Sequence, residues 1–183
     1  HTVVVIRHQH LTPEALLHFA RRLGALEISP RTQFALPGYP EILLLSNIVD
    51  AQGQPMGNAD AGLTWHTDLS YTATPPRGSL LYAVEVPTNA QGETVGETWF
   101  VSTAAAYDAL PPAMQQRLYG LRAIHRAGAK QYAPGSTLAD AVKDLPDVIH
   151  PVIRTHPITG RKAIYVRAGE CVVGARCVGV DAE

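Results

Sequence analysis

Cysteine occurs only twice in this chain and phenylalanine three times, and charge is sparse and balanced, with 17% charged residues and a formal net charge of −1. Each shortage excludes something. Cys171 and Cys177 do not make a disulfide framework, and nothing about them asks for an oxidising compartment. With no second Cys/His pair at matching spacing, they are also a poor zinc site. No Lys/Arg run stands out, so there is no electrostatic footprint for nucleic acid or an anionic membrane surface. No apolar run approaches the roughly 20 residues that span a bilayer, and the opening His1-Thr2-Val3-Val4-Val5-Ile6 has no signal-peptide layout. The composition therefore points to the cytoplasm and to a small-molecule partner, with no nucleic acid and no membrane; self-association, as a homo-oligomer, stays open.

At 183 residues and 46% hydrophobic, the chain is long enough for about one domain with a buried core. Residues 2–7 form a β-branched apolar run and read as a buried strand. Thr12 as N-cap, Pro13 at the first helical position, the stripe Leu16, Phe19, Ala20 and Leu23, and Gly24 as stop predict an amphipathic helix. Residues 41–47 read as a buried strand, and 50–61, with two glycines, as a loop. Residues 79–86 and 98–101 read as strands on either side of a turn-rich connection over 87–96. Ser102 or Thr103 caps a helix reaching Leu110, Pro111-Pro112 interrupts it, and a second helical stretch ends at Gly120. Residues 121–125 read as a strand, 126–147 as a flexible lid, and 149–155 with 162–166 as a hairpin turning across Pro157-Ile158-Thr159-Gly160. Short strands, Gly/Pro turns and two or three helices predict a mainly β fold with helical insertions, a sandwich or jelly roll.

The chemistry gathers around Thr64-Trp65-His66-Thr67-Asp68-Leu69-Ser70, where an imidazole and a carboxylate stand two residues apart. In an extended strand such residues share a face, with β-carbons roughly 6–7 Å apart. That spacing suits one metal ion between His66 and Asp68. A 2-His-1-carboxylate facial triad leaves coordination positions open, the arrangement of non-haem Fe(II) oxygenases. By spacing alone, a hydrogen-bonded His/Asp pair on a surface strand explains the motif equally well.

More than spacing is legible in the blocks around it. Trp65-His66-Thr67-Asp68-Leu69-Ser70-Tyr71, then Pro75-Pro76-Arg77-Gly78-Ser79-Leu80-Leu81-Tyr82-Ala83, closely resemble the central block of the taurine dioxygenase (TauD/TfdA) family. Gly96-Glu97-Thr98-Trp99-Phe100, Ala104-Ala105-Ala106-Tyr107-Asp108-Ala109-Leu110, and His150-Pro151-Val152-Ile153-Arg154-Thr155-His156-Pro157 with Gly160-Arg161-Lys162 resemble later family segments in the same order. The resemblance implies a double-stranded β-helix (jelly roll) and an Fe(II)- and 2-oxoglutarate-dependent dioxygenase, which uses O₂ to hydroxylate a small, anionic organic substrate and releases succinate and CO₂. It makes His66 and Asp68 iron ligands and gives Thr98 a hydrogen bond to the far carboxylate of 2-oxoglutarate. The family's second iron-binding histidine and its 2-oxoglutarate arginine fall beyond the late hairpin. Residues 1–183 are therefore expected to be a single partial domain, incomplete at both ends, with that histidine and arginine beyond Glu183. Ser29 falls where taurine dioxygenase has its sulfonate-binding histidine, and a hydroxyl is the weaker anion partner, which disfavours taurine.

Asn47 and Tyr71 are further candidates for contacting substrate; Asn47 reads equally as a strand-end turn residue, and Tyr71, with Trp65, as core. His150 and His156 read as structural histidines bonded to backbone, His125 as a strand-end residue, and Arg154 and Arg161 as solvated hairpin charges. Two other functions remain open: a catalytically inactive jelly-roll binding or scaffold protein, and a metal-dependent hydrolase using the same His/Asp pair.

Overall fold

The computed structural model describes residues 2–59, 61–62, 65–127, 144–166 and, for the backbone alone, 171–173. The chain divides into two compact units, one built mainly from residues 3–65 and 76–98 and the other mainly from 66–75 and 99–183.

In the first unit, helix α1 covers Pro13–Arg21. The Thr12 side chain accepts a hydrogen bond from the Ala15 amide at 3.3 Å, while Pro13 occupies the first turn, where its missing N–H costs nothing. Glu14 at the start and His18 and Arg21 at the end complement the helix dipole. Leu17 and Ala20 are buried, whereas Phe19 and Leu23, expected on the packed stripe, are exposed. The packed face is thus narrower than the expected stripe, and it rests against strand β2, Tyr39–Leu43, which pairs antiparallel with the short β1, Ala35–Leu36, after a 3₁₀ turn at Thr32–Phe34. The run expected as a strand over 41–47 therefore begins and ends earlier. Arg21 reaches across to Glu41 at 3.0 Å, and the Tyr39 hydroxyl bonds Glu14, so two polar ties flank the helix–strand contact.

The loop after β2 folds as expected. Asp50 Oδ1 accepts from the Gln52 and Gln54 amides, and the loop returns through a bridge between Val49 and Pro55. Gly57 then passes so close to β2's continuation that a Cβ there would lie 2.9 Å from both Ser46 Cβ and Ser46 N. The Asn58 amide donates to Leu44 O at 2.9 Å, locking the approach. A similar turn at 89–93 is closed by Asn89 Oδ1, which accepts from the Gln91 and Glu93 amides.

Three expected strands are not formed. Residues 2–7, 79–86 and 98–101 are irregular and not in a strand, and their apolar side chains are largely exposed, as at Val4, Val84 and Trp99. β-Branched composition favours extended backbone, but a strand is stable only when a neighbour takes its hydrogen bonds and covers one face.

The second unit holds α2, Thr103–Asp108, and α3, Pro112–Leu118. Ser102 caps α2 by accepting from the Ala105 amide at 3.2 Å, and Pro111-Pro112 break the helix as expected. Gln115 Nε2 staples the break by donating to the Tyr107 and Leu110 carbonyls, each at 3.1 Å. Strand β3, Arg122–His125, lies between β4, Val148–Pro151, and β7, Cys171–Val173, in an antiparallel sheet. Strands β5, Ile153–Thr155, and β6, Lys162–Ile164, form the late hairpin. His156 shapes its turn: the ring Nδ1 accepts from the Ile158 and Thr159 amides at 3.2 Å each, and Gly160 turns the chain at φ +69°. Helix α2 packs on β6, and Lys162 lies over the Tyr107 and Tyr119 rings. Most of the expected lid, residues 128–143, and Cys177 lie outside the described residues.

Replacing Thr12 with Ala is expected to lower stability by about 1 kcal/mol, because one helix amide loses its acceptor. Gly57→Ala is expected to cost about 1–3 kcal/mol, because backbone rather than a flexible side chain must give way. Urea denaturation of the full-length protein checks both, and an unchanged midpoint for Gly57→Ala would refute the close approach.

Candidate metal centre

The expected strand through His66 is absent: residues 65–67 are irregular and a turn occupies 68–71. Consecutive prolines at 75 and 76, which cannot donate to a ladder, follow directly. Strand geometry is therefore not what brings the two side chains together. They converge nonetheless. His66 Nε2 stands 3.2 Å from Asp68 Oδ1, with the side chains 40% and 55% exposed, so the open face of the pair can still be reached by a ligand.

That separation is that of a direct hydrogen bond or ion pair, and it is also compatible with two donors sharing one metal ion. Two donors each bound at about 2.1 Å in adjacent positions of a roughly octahedral ion stand about 3.0 Å apart. A neutral imidazole nitrogen and a carboxylate oxygen are also a donor set that iron, zinc and manganese accept. Among the described residues there is no group of three or more His, Cys, Asp or Glu side chains that could hold a metal. His66 and Asp68 by themselves would fill at most two of the three ligand positions of a facial triad.

The turn that carries Asp68 is held tightly. Leu69 adopts φ +47°, a left-handed conformation that costs a non-glycine residue roughly 1–2 kcal/mol. Its carbonyl accepts twice from Thr72, from the amide at 3.0 Å and from Oγ1 at 2.8 Å. Ser70, inside the turn, is buried.

The other site residues expected from sequence lie as follows. Tyr71 is half-buried in the same turn, in the second unit. Thr98, Asn47 and Ser29 belong to the first unit. Thr98 and Asn47 are exposed in irregular segments. Ser29 Oγ accepts from the Arg31 amide at 3.2 Å, so the hydroxyl serves its own loop.

Sequence reasoning passed over the ring cluster of the second unit. His125, 2% exposed, and His150, 7% exposed, meet edge to face with centroids 5.0 Å apart, and Tyr165 stacks on His125 at 5.2 Å. The signal available was register. Ala123 pairs with His150, and His125, two residues on, points to the same face. Arg154 corrects an expectation, since its guanidinium lies 4.4 Å from the Tyr165 ring centroid and it is only half exposed. Arg161 remains an exposed charge, paired with Asp108 at 3.1 Å.

The structure thus sets a turn-borne His/Asp pair on a chain of small antiparallel sheets and short helices. The family model for "Taurine catabolism dioxygenase TauD, TfdA family" matches residues 1–180, and the chain belongs to that family. It is 36% identical over 181 residues to pentalenolactone F synthase of Streptomyces avermitilis, covering 90% of this chain and 58% of that protein. It is 35% identical over 180 residues to the alpha-ketoglutarate-dependent 2,4-dichlorophenoxyacetate dioxygenase of Cupriavidus pinatubonensis, covering 91% and 60%. The chain thus spans a little under two thirds of these relatives. Among solved structures, a Burkholderia xenovorans protein provisionally assigned as an alpha-ketoglutarate-dependent taurine dioxygenase superposes with a TM-score of 0.59 at 25% identity, covering 92% of this chain and 51% of that one. The fold is of the type those proteins share. Among the described residues, no helix is long and apolar enough to cross a membrane.

Asp68→Asn keeps the shape of the pair but removes the negative charge that a divalent cation needs. It is expected to weaken Fe(II) binding to the full-length protein by at least about tenfold, read by anaerobic titration. Affinity equal to wild type would remove Asp68 from the centre.

Proposed function

We propose that this chain is part of an Fe(II)- and 2-oxoglutarate-dependent dioxygenase that hydroxylates a small, anionic organic molecule and releases succinate and CO₂. The observation that carries the reading is the family match over residues 1–180, with His66 Nε2 and Asp68 Oδ1 3.2 Å apart beside it. Support comes from relatives named as alpha-ketoglutarate-dependent dioxygenases, whose named substrates vary. In this reading the chain forms one jelly-roll domain working in the cytoplasm, and a third ligand comes from outside the described residues.

His66 would bind iron through Nε2 and Asp68 through a carboxylate oxygen. Bound iron would supply the oxidation of the 2-oxo acid by O₂ and the resulting hydroxylation. The protein's own work is positioning and exclusion of side reactions. The clamped turn at 68–72 keeps the carboxylate oriented before anything binds, so little ordering cost remains at the moment of binding. Thr98 would donate from its hydroxyl to the far carboxylate of 2-oxoglutarate, a charge-assisted hydrogen bond. Asn47 and Tyr71 would contact the substrate, Asn47 through its amide and Tyr71 through its ring or hydroxyl. Ser29 can offer a sulfonate only one neutral hydroxyl donor, a weaker partner than a protonated imidazole, and taurine is disfavoured.

Full-length protein with Fe(II), ascorbate, 2-oxoglutarate and a panel of small organic acids is expected to form succinate, and His66→Ala to abolish it. Zinc occupancy with hydrolysis and no response to 2-oxoglutarate would replace this reading with a hydrolase; no metal binding at all would replace it with a binding protein. Thr98→Ala is expected to raise the KM for 2-oxoglutarate about tenfold, the loss of one hydrogen bond to a charged group, with a smaller change in kcat.

A further inference from the structure

His150 is buried, sits on strand β4 and is used by nothing in the proposed chemistry. Its ring Nε2 lies 3.0 Å from the Thr72 carbonyl oxygen. A carbonyl only accepts, so Nε2 must carry the proton, which selects one imidazole tautomer. Thr72 is the residue whose amide and hydroxyl both hold the Leu69 carbonyl, and Leu69 is the strained residue next to Asp68. A non-glycine residue at positive φ persists only where its surroundings over-determine it. The hydrogen bonds run in one line from a rigid strand, through Thr72, to the residue beside the carboxylate.

We propose that His150 is a positioning residue for the metal centre: by donating from Nε2 to Thr72 O it ties the turn at 68–72 to β4 and so aims Asp68 at the ion that His66 shares. The metal part of this inference rests on the function proposed above. The tether itself does not, because it exists before any ion binds.

The burial of His150 among His125 and Tyr165 explains why the tether is firm. The ring is wedged edge-on against both neighbours at centroid distances of 5.0 and 5.5 Å, which leaves it little freedom to swing away from Thr72. Ala123, directly across the ladder from His150, is fully buried and too small to compete for that space.

The test compares His150→Leu, which removes the donor, with His150→Gln, whose terminal amide can reach the same carbonyl. Both are made in the full-length protein. In the metal-free state, His150→Leu is expected to speed amide hydrogen exchange at Thr72 about tenfold, and in Fe(II) titrations to weaken binding roughly five- to tenfold, the low end of what residues supporting a ligand give. His150→Gln is expected to restore both largely to wild type. Nitrogen-15 spectra of wild type are expected to show the Nε2–H tautomer. Should His150→Leu not fold, Thr72→Val removes only the hydroxyl of the same clamp and is expected to move exchange and metal affinity in the same direction. Unchanged exchange and affinity in the variants that fold, an Nδ1–H tautomer, or equal damage from Leu and Gln would overturn the proposal. Faster Thr72 exchange in a protein that binds no iron would leave the tether standing and defeat the dioxygenase reading instead; iron-dependent succinate formation with unaltered exchange would do the reverse.

Discussion

The strained turn after Asp68 is the constraint on which the proposed metal centre depends. Leu69 sits at φ +47°, and two hydrogen bonds from Thr72 to its carbonyl offset a conformation that a leucine would leave if free. Such a turn sets the direction of the side chain immediately before it. Asp68 therefore meets His66 at 3.2 Å without the regular pleat that a strand would provide. Strain next to a ligand has a use: a carboxylate already aimed loses less entropy on binding than one that must be gathered from several rotamers.

Around that turn, the second unit packs rings against one another. His125, His150 and Tyr165 pack mutually, Arg154 covers Tyr165, and Val152, 1% exposed, fills the space where β4 gives way to β5. Two buried imidazoles are an unusual choice for a core, since an apolar residue would fill the space without needing partners. One of them is accounted for by its bond to Thr72. The first unit is organised differently, by a capped helix on a two-stranded ribbon and by loops closed with Asp50 and Asn89 side chains.

What could be read from residues alone was local chemistry. Thr12-Pro13, Ser102, Pro111-Pro112 and Gly160 act within a few residues of themselves, through caps, a missing donor or a permitted positive φ. They behave as expected because no distant partner is needed. Residues 2–7, 79–86 and 98–101 were misread as strands for the complementary reason: whether an apolar β-branched run becomes a strand depends on a neighbour that the run itself does not encode. Arg154 shows the same limit for a single side chain, since only the placement of Tyr165 decides whether that charge is solvated or stacked.

For the proposed metal centre the division is similar. The sequence by itself determined which donors are offered, because His66 and Asp68 lie two residues apart and the blocks around them match a family in order. It also determined that His150 and His156 would bond backbone, as Pro-flanked hairpin histidines commonly do. Only the tertiary structure decided that a left-handed turn, not a pleated strand, brings the donors together, and which carbonyl His150 holds. Hydrogen bonds between residues 78 positions apart arise from the path of the whole chain, and no local pattern carries that information.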